Sequence, residues 1–216
     1  MLSEFFRNKG HVFLIEDDEN VRESLASMLR FLNYRVHDYA SAEAYLHDDL
    51  IAGPAVIVCD MRMPGLSGVQ LQERLMNRSR TLPIVFISGE STQPQIIQAL
   101  KQGAFDFLLK PFDREDLLRA VANGIQKDEQ TIAQMHRRSV FDAGLSKLTP
   151  RERSVFELLS GGANNAEIME ALGISLPTTK QYKSEVMSKL GLKSLSELIR
   201  LHRQITGEVV ATKTVI

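Results

Sequence analysis

Five short apolar runs, each followed by an amphipathic stretch, occupy the first 125 residues, and this alternation restricts the fold more than any other feature of the chain. The runs are residues 11–15, 35–37, 55–59, 84–87 and 105–108. Parallel strands need long crossover connections, and those crossovers pack as helices, so five β-then-α units predict a parallel sheet covered on both faces. Local signals agree. Ser41 ahead of Ala42-Glu43-Ala44 and Asp113 with Asp116 read as helix starts, and Gly53-Pro54 reads as a loop before the third strand.

Beyond residue 148 the strand pattern stops and helices take over. Thr149-Pro150-Arg151-Glu152 sets proline at a first helical position with Glu152 at capping-box spacing from Thr149. Gly161-Gly162 ends that helix, Ala163 or Asn164 opens a second, Gly173 closes it, residues 175–190 form a third, and a last runs from Ser194 to about Gln204. Charge changes sign along the same division. Residues 1–125 hold 13 Lys/Arg against 17 Asp/Glu, a net of −4, whereas residues 126–216 hold 13 against 10, a net of +3. An acidic front and a basic back suggest separate tasks, although an excess of this size is also ordinary for a solvated surface.

The connection between the two parts has two readings. Leu118, Val121, Ile125, Ile132 and Met135 fall on three- and four-residue steps if Asp128 takes the remaining seam position, which predicts one helix of about 40 Å over residues 113–139. Asn123-Gly124 favours a break and a polar linker. The expected organisation is a first domain at 11–125, a linker at 126–147 that continues the preceding helix, a second domain at 148–205 and a flexible tail at 206–216. No apolar run approaches the roughly 18 residues that span a bilayer, and the N-terminus has no signal-peptide pattern, so a cytoplasmic protein with no membrane partner is expected. The single cysteine, Cys59, sits in an apolar run, where inert packing is expected.

The ends of the predicted strands carry the chemistry. The first ends in Glu16-Asp17-Asp18, the third in Asp60, the fourth in Ser88 and the fifth in Lys110-Pro111. Ligands of an open parallel sheet bind outside the carboxyl ends of its strands where the winding reverses, so acids from strands one and three would converge there. Crowded carboxylates repel one another and call for a cation, and Mg2+ fits because it takes hard oxygen ligands and keeps several waters. An aspartate beside such an ion can attack a phosphoryl group in line. In this reading Asp60 is the nucleophile, Glu16 and Asp17 hold the metal, and Lys110 and Ser88 contact the phosphoryl oxygens. Each residue alone has a blander role as a cap, a turn or a surface charge. An aspartyl-nucleophile phosphatase would need a second acid two residues after Asp60, where Arg62 stands.

With Glu16-Asp17, the stretch Asp60-Met61-Arg62-Met63-Pro64-Gly65, Ser88-Gly89 and Lys110-Pro111 in this order and spacing, residues 11–122 resemble the receiver domain of two-component response regulators. The resemblance implies a flavodoxin-like, doubly wound α/β fold with strand order 2-1-3-4-5 and phosphorylation of Asp60 from a sensor histidine kinase. It further implies a metal ligand from the Arg62 backbone carbonyl, a cis Lys110-Pro111 bond, a Ser88/Phe107 switch and a homodimer on activation.

Winding residues 175–190 at 100° per residue puts Thr179, Val186 and Leu190 on one side and Lys180, Gln181, Ser184 and Ser188 on the other, with side-chain types that read bases and hold phosphates. Geometry alone leaves a solvated face as the simpler reading. Leu148-Thr149-Pro150-Arg151-Glu152, Leu172-Gly173-Ile174-Ser175, Thr178-Thr179-Lys180 and Met187-Ser188-Lys189-Leu190-Gly191 resemble the all-α, four-helix output domain of LuxR-type regulators. That likeness implies a helix-turn-helix with base contacts from Lys180, Gln181 and Ser184, phosphate contacts from Lys183 and Thr178, and dimerisation through the last helix. Thr179 stands where an apolar residue is usual. The whole chain is similar to the FixJ-like branch of the LuxR/NarL response regulators, which implies a phosphorylation-controlled transcription regulator acting on promoter DNA, with RNA polymerase as a further partner. It implies no enzymatic activity beyond self-phosphorylation and autodephosphorylation. The rival expectation is a phosphorylation-independent pseudo-receiver that serves as a constitutive dimerisation module.

Overall fold

The computed structural model describes residues 9–47, 53–76, 80–89 and 93–206; all but the first residue of the expected tail lies outside them. The chain divides into two compact units, residues 1–133 and 134–216.

The first unit is a five-stranded parallel sheet in the order β2-β1-β3-β4-β5, where β1 is His11–Ile15, β2 Arg35–Tyr39, β3 Ala55–Asp60, β4 Ile84–Ser88 and β5 Asp106–Leu109. Helices α1 (Glu19–Phe31), α2 (Ala42–Leu46), α3 (Gly68–Leu75), α4 (Gln93–Lys101) and the start of α5 (Arg114–Leu145) connect and follow the strands. The predicted strands are all present with ends shifted by no more than two residues, and β3 includes Asp60 as its last residue.

Alternation along each strand builds two separate cores, because successive side chains leave opposite faces of a sheet. Phe13, Ile15, Ile57, Cys59 and Phe86 point to one face and pack with Leu71 and Leu75 of α3 and Ala99 of α4. Val12, Leu14, Val56, Val58, Val85 and Ile87 point to the other and pack with Leu29 of α1 and Leu117, Val121 and Ile125 of α5. Each fully buried aliphatic or phenyl side chain contributes about 1.5–3 kcal/mol relative to exposure. Cys59 is fully buried and burial pushes its thiol well above the usual range, as inert packing requires.

Helix α5 passes through Asn123-Gly124 unbroken. A Cβ on Gly124 would stand 2.5 Å from Val56 Cγ2. Glycine therefore lets the helix lie close against β3, at a cost of about 1 kcal/mol in helix propensity. The first half of the apolar seam is likewise spent inside this unit: Val121 and Ile125 are buried against the sheet.

The second unit holds the end of α5 with α6 (Pro150–Ser160), α7 (Asn165–Leu172), α8 (Leu176–Lys189) and α9 (Leu195–Thr206). Reciprocal capping boxes start α6, between Thr149 and Glu152, and α7, between Asn164 and Glu167, each satisfying two otherwise orphaned amides. Phe141 of α5 is completely buried in the core of this unit with Val155, Phe156, Leu159, Ile168, Val186, Leu190 and Leu198. Among the described residues no helix is long and apolar enough to cross a membrane.

Candidate functional site

Strands β1 and β3 are neighbours with Ile15 opposite Cys59, so the next residue of each, Glu16 and Asp60, emerges at the same level of the sheet. Carboxylate oxygens of Glu16, Asp17 and Asp60 lie within 4.8 Å of one another. Glu16 is 1% exposed and Asp60 6%, while Asp17 is open to solvent. Asp18 turns away to cap α1, accepting the Val21 amide at 3.1 Å. Arg22, one turn into α1, donates to the Glu16 carbonyl at 2.8 Å and the Asp17 carbonyl at 3.3 Å, and so fixes the acidic turn.

Lys110 reaches this cluster from the end of β5. Its Nζ lies 2.8 Å from Glu16 Oε2 and 2.6 Å from Asp60 Oδ2. Burial raises the Glu16 carboxyl above its ordinary range and the Asp60 charge raises it further, against the Lys110 hydrogen bond, which lowers it. Burial also opposes the Lys110 charge, but hydrogen bonds to Asp60 and Glu16 outweigh it and hold the ammonium above its usual value. The other Asp60 oxygen, Oδ1, accepts the Arg62 amide at 2.8 Å. Three carboxylates thus cluster here, and two of them meet the ammonium of Lys110. A set of hard anionic oxygens in excess of the local positive charge suits a divalent cation such as Mg2+.

The remaining predicted residues of this end are placed by the same strands. Ser88 closes β4 and is fully buried, its carbonyl accepting the Lys110 amide at 2.8 Å. The Lys110-Pro111 peptide bond is cis. Phe107 on β5 is half-buried and packs at the edge of the core, lining a shallow groove with Ile96, Leu100 and Leu109. Behind the site Gly68 gives α3 room: a Cβ there would meet the Asp60 carbonyl oxygen at 2.7 Å.

In the second unit α8 presents two faces. Thr179, Val186 and Leu190 are buried, whereas Lys180, Gln181, Ser184 and Ser188 are exposed. Thr179 fits the apolar side because its hydroxyl donates to the Ser175 carbonyl at 3.0 Å, one turn back. Lys180 and Ser184 have no hydrogen-bond partner among the described residues, and Gln181 donates to Glu185 at 2.9 Å. Thr178 shares a 2.9 Å contact with the N-cap hydroxyl of Ser175. Lys183 points back to α7, its Nζ 2.7 Å from Asn165 Oδ1.

Two polar clusters escaped the sequence reading. Asp128 of α5 is fully buried, accepts the Ala55 amide at 2.7 Å and the Arg80 Nε at 3.0 Å, and pairs with Arg80 through a second guanidinium nitrogen as well. Lys189 of α8 lies 2.7 Å from the Glu152 carboxylate. The only sequence signal for the first was an acid inside an apolar seam; nothing in the sequence marked its partner.

Two family models match the chain: the response regulator receiver domain over residues 12–122 and the luxR family of bacterial regulatory proteins over residues 146–202. Nodulation protein W of Bradyrhizobium diazoefficiens is 35% identical over 199 residues, covering 89% of this chain and 85% of its own length. The transcriptional regulatory protein FixJ of Azorhizobium caulinodans is 37% identical over 190 residues, covering 88% of this chain and 90% of its own. Among solved structures, the response regulator StyR aligns with a TM-score of 0.74 at 35% identity, over 90% of this chain and 98% of its own.

Proposed function

Because the chain belongs to the two-component response regulators that join a receiver domain to a LuxR-type DNA-binding domain, we propose that it is a transcription regulator switched by phosphorylation of Asp60. The observation that carries this reading is the convergence of Glu16, Asp17 and Asp60, with Glu16 and Asp60 bonded to the Lys110 ammonium. A module that only dimerised would have no use for it.

In the proposed reaction an Asp60 carboxylate oxygen attacks the phosphorus of a phosphohistidine on a sensor histidine kinase. The new P–O bond forms as the P–N bond breaks, and the departing imidazole takes up a proton. Lys110 is positioned to neutralise charge on the phosphoryl oxygens, and Ser88 donates its hydroxyl to one of them. The Arg62 amide holds Asp60 in one orientation. Glu16, Asp17, Asp60 and the Arg62 carbonyl would hold Mg2+, which when bound supplies further neutralisation of the transferring group. The same residues then serve autodephosphorylation.

Ser88 turning toward the phosphoryl group and Phe107 turning inward would remodel α4 and β5. Ile97, Leu100 and Leu109 stand 51%, 48% and 54% exposed there, an apolar surface available to a second copy. Phosphorylation would shift a pre-existing equilibrium toward that dimer. Two output domains would then gain effective concentration on paired half-sites of cytoplasmic promoter DNA, where RNA polymerase is the further partner. Lys180, Gln181 and Ser184 are assigned to bases, and Lys183 and Thr178 to phosphates. We assign the receiver to 11–125, the connector to 126–147 and the output domain to 148–205. The test compares oligomer size and promoter-DNA affinity with and without acetyl phosphate and Mg2+. Both should rise for the unaltered protein and stay flat for Asp60→Asn; equal behaviour in all conditions would favour constitutive dimerisation.

A further inference from the structure

Residues 61–67 join β3 to α3 and lie directly after Asp60. This segment has two tasks in the proposed site: the Arg62 amide holds Asp60 Oδ1 at 2.8 Å, and the Arg62 carbonyl is assigned to Mg2+. We propose that Glu43, on α2, is a positioning residue for that site, holding the segment in place through the Leu66 amide. The inference rests on the reading of Asp60 as the phosphoacceptor and extends it to a residue outside the acidic cluster.

Main-chain hydrogen bonds fasten both ends of the segment. The Met61 amide donates to the Ile87 carbonyl at 3.0 Å, and the Gly68 amide donates to the Met61 carbonyl at 3.1 Å. Between these anchors residues 62–66 have no regular structure. An amide in such a segment needs an acceptor outside secondary structure. Leu66 is buried, and its amide donates to Glu43 Oε1 at 2.8 Å. Glu43 is itself firmly mounted. Ser41 caps α2 by accepting the Ala44 amide at 3.2 Å, and Ala42 and Tyr45 of the same turn are buried. Tyr45 packs edge-on against Phe13 and Tyr39, with ring centroids 5.4 and 5.5 Å away. Met61, Met63 and Leu66 belong to the same core.

Two further observations fit a carboxylate aimed at this segment. Gly65 has φ +77°, and a Cβ there would stand 2.7 Å from Glu43 Oε1, so glycine leaves the path to the Leu66 amide open. Hydrogen bonds from its own amide and from Leu66 hold the Glu43 carboxyl below its ordinary range. A partner that orients a metal ligand from outside the coordination shell is worth about 10–100-fold in metal affinity.

The test uses the full chain and three substitutions that separate reach from charge. Glu43→Gln keeps an acceptor at the same distance without the charge. Glu43→Asp keeps the charge but draws it back by about 1.5 Å, beyond hydrogen-bond reach of Leu66. Glu43→Ala removes both. Two quantities are measured for each protein: the Mg2+ concentration giving half of the maximal rise in melting temperature, and the rate of acetyl-phosphate labelling of Asp60 as Mg2+ is varied. Glu43→Ala and Glu43→Asp should each need about tenfold more Mg2+ in both assays. They should keep most of their labelling rate at saturating Mg2+, and Glu43→Gln should follow the unaltered protein. Glu43→Asp and Glu43→Gln decide the matter if circular dichroism finds Glu43→Ala unfolded. Unchanged Mg2+ demand in Glu43→Asp would overturn the proposal. So would a Glu43→Gln defect as large as that of Glu43→Asp, which would assign the effect to charge and not to the bond. An unaltered protein that neither responds to Mg2+ nor labels would remove the underlying reading of Asp60; normal labelling and Mg2+ response in all three variants would remove the role of Glu43 alone.

Discussion

The two ends of the parallel sheet each bury a carboxylate against a cation, and they do so in opposite balance. At the amino end Asp128 is fully buried with the Ala55 amide and two nitrogens of Arg80 on its oxygens, so that one acid is saturated by donors. At the carboxyl end Glu16 and Asp60 share the ammonium of Lys110, with the Asp17 carboxylate within 4.8 Å of theirs and bonded to no cation among the described residues. A matched acid holds structure together; acids in excess of the cations around them hold a place for charge that arrives later. The contrast separates clasp from site without reference to any relative.

Breaking the clasp should have the largest effect. Asp128→Ala leaves the Arg80 guanidinium and the Ala55 amide without their acid, and should destabilise the first unit by about 3–5 kcal/mol, the usual cost of removing one partner of a buried pair. Chemical denaturation monitored on the receiver checks this. Should Asp128→Ala unfold at the denaturant concentration of the unaltered protein, the clasp assignment fails.

An intermediate effect is expected in the second unit. The Lys189 ammonium, with the Thr149 amide, pulls the Glu152 carboxyl down to about 2. A depressed folded value means that its stabilisation is complete above about 4.5, the unfolded value, and is lost as pH falls through the folded one. Glu152→Gln should cost about 1–2 kcal/mol at neutral pH, since Lys189 is partly exposed and part of the effect is capping. It should also flatten the acid side of the stability curve between those two values.

Relieving the crowded end should act the other way. Asp60→Asn removes one of three competing carboxylates while Glu16 keeps Lys110, so stability should be unchanged or raised by up to about 1 kcal/mol. Addition of Mg2+ should raise the melting temperature of the unaltered protein and not of this variant. A loss of stability comparable to that of Asp128→Ala would erase the distinction between the two ends.

The smallest effect lies beside the clasp. His11 Nδ1 is 3.1 Å from His37 Nε2, and burial, with the charges of His37, Arg35 and Arg80, lowers the His11 value. The folded protein then binds fewer protons than the unfolded chain below about pH 6.5, so stability declines on acidification through that range. For a single proton the slope cannot exceed about 1.4 kcal/mol per pH unit. His11→Gln should reduce it; an unaltered slope would assign the acid sensitivity to other groups.

The same contrast explains what the sequence revealed. Strand positions were legible because β1, β3 and β4 are buried on both faces and read as continuous apolar runs. Glu16 and Asp60 stood out because each ends such a run, and Lys110 because it follows the shorter apolar stretch of β5. Asp128 could be seen only as an irregular member of a helical seam, since its partner Arg80 lies 48 residues away in a loop with no pattern of its own. Gly124 was read as a possible break because propensity is local, while the 2.5 Å approach to Val56 that makes glycine necessary is tertiary. On α8 the periodicity separated buried from exposed residues but not free from engaged ones: Lys183 is tied to Asn165 and Lys180 is not.

The central claim is that the carboxylate closing β3 accepts a phosphoryl group. Peptide mass spectrometry after incubation with acetyl phosphate and Mg2+, with reductive trapping of the acyl phosphate, should place the label on Asp60 and nowhere else. A label on another side chain, or none under donor excess, would contradict the account.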